Sequence, residues 1–455
     1  MLSDQHGLAV TASTAESAAR LDATITAYCG FKLDTGDRLR ATLAGDPHVV
    51  FGHILYGYFM LLLVKRELVA RAREAADAAA ASMRAVGSTP REAMHLRALE
   101  AWIRRDLDAA TVILETILVA YPHDIVALKL VQYLLFYAGD WTRMHGTVSG
   151  AVAAWDDTVP GYGFALGCHA FGLEECGEYD AAERVGKRAI EREPADIWGA
   201  HAVAHVFEMQ DRAQDGLRWI DGLAPQWRDA NNFAFHVWWH RCLFLLAEGR
   251  FDEALARYDG EVRADSTDEH LDIVNAVSLL WRFEQAGVPV GARWDELAAR
   301  AAARLDDHML VFSDTHFAMA LAAAGTPEDF TRWCQSSTRF ATAAKESQAA
   351  VMSAAGLVLA EAAQAHRSGA FACAVDLLLP VRAAIHRIGG SHAQRDLFEQ
   401  LLIDAAVKAE RWDTARELLQ ERLAARPGNV WGRTELRRIE TRRLHPPAQG
   451  RRGVT

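Results

Sequence analysis

A six-residue phrase recurs along the chain. It has a small or polar residue, one further position, often an aromatic, two more positions, and then a small residue inside a new helix. The copies read Arg105-Asp-Leu107-Asp-Ala-Ala110, Gly139-Asp-Trp141-Thr-Arg-Met144, Gly177-Glu-Tyr179-Asp-Ala-Ala182, Asp211-Arg-Ala213-Gln-Asp-Gly216 and Gly249-Arg-Phe251-Asp-Glu-Ala254. Their last positions, 110, 144, 182, 216 and 254, are separated by 34, 38, 34 and 38 residues. Later copies are Gly369-Ala-Phe371-Ala-Cys-Ala374 and Glu410-Arg-Trp412-Asp-Thr-Ala415. Pro122, Pro194 and Pro427 each stand twelve residues beyond a closing alanine, where a helix has to stop. A unit of that length cannot bury its own apolar face, so neighbouring units must stack to make a core.

The units are helical. Stretches such as REAADAAAASMRAV and DELAARAAARL are built from strong helix formers, and β-branched alternating runs are scarce. A period of about 34 residues with a helix–turn–helix unit and a terminal proline is the tetratricopeptide pattern. The expected fold is therefore all-α, a tetratricopeptide-like solenoid: a right-handed superhelix of about eight to ten helix-turn-helix pairs. Between Ala254 and Ala374 there is room for about three units, with RWDELAARAAARL and TPEDFTRWC as members. The expected organisation is a flexible N-terminus over 1–14, an N-terminal helical segment over 15–95 that starts the solenoid, and the repeat array over 96–435. A basic, proline-containing tail over 436–455 is expected to be disordered.

Several phrases go beyond the bare repeat. FALGCHAFGLEECGEYDAAERVGKRAIEREPADIWGAHAVAHVFEMQ, NNFAFHVWWHRCLF, LDIVNAVSLLWRFEQAG, VFSDTHFAMALAAAG and GGSHAQRDLFEQLLIDAA occur in that order. With them the chain resembles the tetratricopeptide repeat protein 38 family from about residue 8 to residue 435. The resemblance implies a cytoplasmic helical-repeat solenoid and implies no particular reaction.

Composition excludes some function classes. With 49 basic and 60 acidic residues the net charge is −11, which argues against nucleic acid as a partner, because phosphate binding needs clustered positive charge. The longest strongly apolar run, Ile54 to Val64, has 11 residues against the ~20 needed to span a bilayer, so no membrane partner is expected. The opening MLSDQHGLAVTAST lacks a basic region followed by an apolar core, and the six cysteines form no C-x-x-C pair. These features fit reduced thiols and a cytoplasmic location.

The histidines are the unusual feature. His201/His205 and His236/His240 are two H-x-x-x-H pairs 35 residues apart. An i, i+4 spacing sets two imidazoles on one helix face with Cβ atoms about 5–6 Å apart. Glu208 continues the first stripe. Counting the small residue of each phrase as position 20 puts His201, His205 and Glu208 at positions 5, 9 and 12 of one unit. His236 and Trp239 then fall at positions 2 and 5 of the next. In tetratricopeptide repeats these positions face the concave groove; His240, at position 6, lies nearer its edge. The candidate ligand-binding set is therefore His201, His205, Glu208, His236, Trp239 and His240. His201, His205, Glu208 and His236 are the candidate ligands for a divalent transition metal. His316 and His392 also lie on expected first helices.

Known catalytic motifs are absent: no H-E-x-x-H, no G-x-G-x-x-G, no G-x-x-x-x-G-K-[ST] and no G-x-S-x-G. Cys168 and His169 are adjacent, so on a helix they diverge by about 100° and cannot act as a pair. The leading functional expectation is a scaffold whose His/Glu/Trp-lined groove takes a protein or peptide segment or a small ligand. The alternative is an enzyme, metal-assisted, at the same histidines. A scaffold predicts histidines spread along an open groove; an enzyme predicts their convergence in a pocket.

Overall fold

The repeated phrase has a direct backbone meaning. In the computed structural model, which describes residues 2–444, the first residue of every copy is left-handed. Arg105 has φ 65°, Gly139 68°, Gly177 80°, Asp211 56°, Gly249 71°, Gly369 79° and Glu410 57°. That conformation ends one helix and swings the chain into the next, which glycine does without strain. The following residue often caps the second helix: Asp106 accepts from the backbone N–H of Ala109, and Asp140 from that of Arg143. The closing small residue is the packing point of the pair. Ala110, Ala182, Ala254, Ala374 and Ala415 expose no surface, and a Cβ added at Gly216 would overlap the Phe244 ring.

Among the described residues there are 24 α-helices and one two-stranded hairpin, Leu2–Ser3 against Ala9–Val10. The chain is an all-α helical-repeat solenoid. Eleven helix pairs run from Ala15 to Ala425, and Val430–Leu444 closes the array. That exceeds the expected eight to ten, because the two pairs before Pro90 carry no copy of the phrase. Between Ala254 and Ala374 the three expected steps are present: His270–Gln285 with Arg293–Ala302, Val311–Ala324 with Pro327–Ala343, and Leu357–Arg367, preceded by the short Ser347–Val351, with Phe371–Val381. No helix among the described residues is long and apolar enough to cross a membrane.

First helices of the central pairs, such as Ile197–Met209 and His270–Gln285, are buried nearly all round. Second helices, such as Tyr179–Arg192, bury one stripe of small residues, Ala182, Gly186 and Ala189. Burial on every side requires a cover on the concave face as well as neighbours to left and right. The cover is the chain itself. His392–Lys408 packs against Ile197–Met209, His270–Gln285 and Leu357–Arg367, so the expected groove is not open along its length. The backbone N–H of His392 donates to Glu175 Oε1 at 3.1 Å, and Arg426 reaches back to Asp211 at 2.8 Å. On the other side Asn231 N–H donates to the Phe31 carbonyl at 2.7 Å, and Arg105 pairs with Glu346 at 3.1 Å. At one crossing the backbones touch: a Cβ at Gly139 would overlap the His386 carbonyl oxygen.

Two expected boundaries need correction. The N-terminus is anchored rather than loose: Asp4 pairs with buried Arg91 at 3.1 Å, Arg91 also meets Asp124 at 3.1 Å, and Val10 is fully buried. A buried guanidinium needs carboxylates, and the first residues bring one. At the other end, residues 436–444 of the expected disordered tail continue the helix Val430–Leu444, in which Ile439 is buried. The remainder, 445–455, lies outside the described residues.

Candidate functional site

Asp196 caps Ile197–Met209, accepting from the backbone N–H of Trp198, and fixes the rotation that points His201 and His205 inward. Phe233–Ala247, the first helix of the next pair, brings His236 and His240 to face them. The four side chains converge: one ring nitrogen from each lies within 4.8 Å of the others. His201 Nε2 stands 2.9 Å from His205 Nε2 and 3.0 Å from His236 Nε2. All four residues are buried, with exposures of 4% or less. Burial, reinforced by the neighbouring imidazoles, pushes His201, His205 and His240 well below the usual histidine range; burial alone brings His236 to about 4.

The protons cannot satisfy this arrangement. A neutral imidazole nitrogen offers either one hydrogen or one lone pair, so His201 Nε2 cannot make two linear hydrogen bonds at once. Neither ring nitrogen of His240 has a hydrogen-bond partner, and His201 Nδ1 has none either. Leaving such groups buried and unpaired costs about 1–3 kcal/mol each. Of the outward nitrogens, only that of His236 is hydrogen-bonded. His236 Nδ1 lies 2.9 Å from Asn275 Oδ1, whereas His205 Nδ1 stands 3.5 Å from Glu174 Oε2 without a hydrogen bond between them. Trp239 stacks on the His236 ring with centroids 5.1 Å apart and planes 13° from parallel.

The sequence-derived set is thus partly regrouped. His201, His205 and His236 come together as expected. His240, expected near the edge, completes the cluster. Glu208 does not join it: Arg426 holds it at 3.4 Å, within an ion-pair network that includes Asp211 and Asp396. Trp239 is fully buried behind His236, its indole N–H toward Ser278 Oγ at 3.3 Å, and does not face the groove. His316 bonds the Phe312 carbonyl and His392 the Glu175 carbonyl, both outside the cluster. Cys168 is buried with its thiol pushed up to about 12, while His169 stacks on His145, so those two form no pair.

Sequence reading missed three things. Asn275 is a polar residue inside the apolar run LDIVNAVSLLW, a signal that was available. Glu174 and Glu175 end an apolar helix, and they form a second close group with His205. The third is a cavity of about 540 Å³ above the cluster. His201, His205 and His236 form part of its lining, with Trp198, Phe171 and Phe233. Its far wall comes from the N-terminal pairs, Tyr28, Phe31 and Phe59 among them, and Phe312, Ser391 and Gln394 close another side. Lys129 is buried beside it, its ammonium 4.6 Å from the Phe31 ring centroid and 5.5 Å from that of Trp198. Such a chamber is of the size and character that enclose small organic molecules.

No family model matches the chain. Among solved structures it is similar to the crystal structure of the P58(IPK) TPR domain, at 12% identity and a TM-score of 0.22, covering 79% of this chain and 100% of that one. It is also similar to a structure of Naa15/Naa10 bound to HypK-THB, at 12% identity and a TM-score of 0.25, covering 94% of this chain and 66% of that one. Neither score reaches that of a shared overall arrangement, and the fold described above rests on this chain's own helix pairs.

Proposed function

We propose that this protein is a helical-repeat metalloprotein in which His201, His205, His236 and His240 hold a divalent transition-metal ion at the floor of an aromatic small-molecule cavity. One observation carries the reading: three imidazole nitrogens meet at His201 Nε2 with His240 beside them, an arrangement protons leave unsatisfied and a cation satisfies. Four neutral imidazoles suit zinc, copper, iron or nickel. With bonds of 2.0–2.1 Å, tetrahedral nitrogens stand ~3.3 Å apart, so the two short contacts need to open by only a few tenths of an ångström. Asn275 is placed to orient His236 through its outer nitrogen, as outer partners of metal-bound histidines do, and Glu174 would have to close from 3.5 Å to do the same for His205. By taking a fifth ligand from the cavity side, an ion there would polarise a substrate oxygen or activate water, the chemistry of a metal-assisted enzyme acting on a small organic substrate. Membership of the tetratricopeptide repeat protein 38 family is part of this proposal and is supported by the phrases quoted above.

A scaffold that takes a protein segment is the second reading. Exposed Val112 and Val119, seven residues apart on Leu107–Ala120, favour the outside of the array for such a partner. The deciding experiment is elemental analysis by inductively coupled plasma mass spectrometry on untagged, chelator-free protein. Wild type should carry close to one equivalent of zinc, iron or another first-row metal, and His201→Ala/His205→Ala should carry none. Wild type that stays metal-free even after titration with these ions overturns the metal reading.

A further inference from the structure

The cavity has a second polar end. Among the described residues, Glu269 is the only carboxylic acid in its lining. It precedes His270–Gln285, the helix that also carries Asn275, whose amide meets His236. Six residues at 1.5 Å per residue put roughly 9 Å along the axis between Glu269 and Asn275. The cavity lining on this helix is mixed: Leu271 is apolar and His270 polar, and Leu310, Phe312, Asn231 and Asn232 belong to the same lining. Its carboxyl is pushed up to about 8, first by burial and then by the charge of Asp272, against the opposing effects of Lys65, Arg304 and the Leu271 N–H. The nearby charges are largely committed elsewhere: Lys65 to Asp268, and Arg304 to Asp307 and the Val64 carbonyl. The Tyr137 phenol also senses this carboxyl, and His270 is turned to Ser313 at 3.1 Å.

We propose that the cavity takes a mostly apolar, ring-containing molecule with two polar ends, a lone-pair donor that ligates the ion at the histidine end and a carbonyl-type acceptor that receives a hydrogen bond from Glu269. The inference rests on the four-histidine reading and adds the ligand's length and the character of its far end. The aromatic walls recognise its body; the two ends fix its orientation. Glu269 is partly exposed at the cavity wall; where the bound molecule's own rings shield it from water, its protonated carboxyl donates to an acceptor that a hydrocarbon of the same shape lacks.

The test uses the full chain loaded with cobalt(II), whose visible bands report each change of ligand. Two probes are compared: 4′-(imidazol-1-yl)acetophenone and its hydrocarbon isostere 1-(4-isopropylphenyl)imidazole. Both should shift the cobalt bands, and the ketone should bind roughly ten-fold more tightly at about pH 7. The preference should survive in Glu269→Gln, disappear in Glu269→Leu, and shrink as the pH rises to about 9.5, where the carboxyl loses its hydrogen. Unchanged binding of the isostere in Glu269→Leu shows that the chamber is intact. Equal affinity for the two probes in wild type, a preference that persists in Glu269→Leu, or cobalt-loaded protein that takes neither probe overturns the inference. Failure to take up cobalt at all overturns the four-histidine reading instead.

Discussion

Replacing His240 with leucine should change stability in opposite directions with and without metal. His240 exposes no surface, and both of its ring nitrogens are unpaired. Leucine is of similar volume and has no polar atom to desolvate, so His240→Leu removes that burden from the metal-free protein. Relief of one or two unpaired buried groups amounts to about 1–3 kcal/mol. Spread over the unfolding entropy of a chain this long, that raises the melting temperature of chelator-treated protein by about 1–3 °C. With metal the sign reverses. Wild type at a free-metal concentration of about 1,000 times Kd gains roughly 4.1 kcal/mol, more than the relief of about 1–3 kcal/mol; the variant, with one of four ligands lost, gains almost nothing where its own affinity no longer reaches that concentration. The assay is thermal unfolding of both proteins, in chelator and in a zinc or cobalt buffer, with far-ultraviolet circular dichroism as readout. A variant less stable than wild type in chelator would refute the reasoning, because His240 would then be making a bond that protein or water supplies without a metal.

Three further outcomes follow from other features. Asn275→Leu should weaken metal affinity by about 10–100-fold by freeing the outer nitrogen of His236, measured by competition against a chromophoric chelator. Acid should destabilise the fold through histidines buried in neutral form. His236 and His316 titrate near 4 and His270 near 3, below the ordinary 6.5, so the unfolded chain binds protons that the native protein refuses. Stability is therefore complete above about pH 6.5 and falls as the pH drops toward 4, by about 2 kcal/mol per histidine at pH 5; urea unfolding at pH 7 and pH 5 measures it, and equal midpoints would contradict the burial. Gly139→Ala should force the crossing apart, since its left-handed backbone alone costs alanine about 1–2 kcal/mol and its Cβ meets the His386 carbonyl. Small-angle scattering should show a larger radius of gyration.

What could be read from the sequence was what neighbours in the chain decide. Gly139 and Asp140 spell a turn and a cap within two residues, so the pairs were visible wherever the phrase occurs. The His201/His205 pair follows from helical spacing alone. Errors arose where a partner comes from far away. Glu208 continues the histidine stripe, but Arg426, 218 residues later, takes it. Trp239 and His240 exchanged roles because one residue is about 100° of helix, and unit steps that alternate between 34 and 38 residues leave phasing uncertain by a position. His392–Lys408 reads as one more repeat helix; nothing local marks it as the element that fills the concave face.

That helix also sets an order of events during synthesis. The four histidines and Asn275 have all been synthesised by residue 275, yet the element that covers them begins at residue 392. Between its emergence from the ribosome and the synthesis of that helix, the nascent chain presents the imidazoles without their cover. On the proposed reading, an ion that arrives before residue 392 is made would reach the histidines directly, and one that arrives afterwards would enter through the cavity that His201, His205 and His236 line.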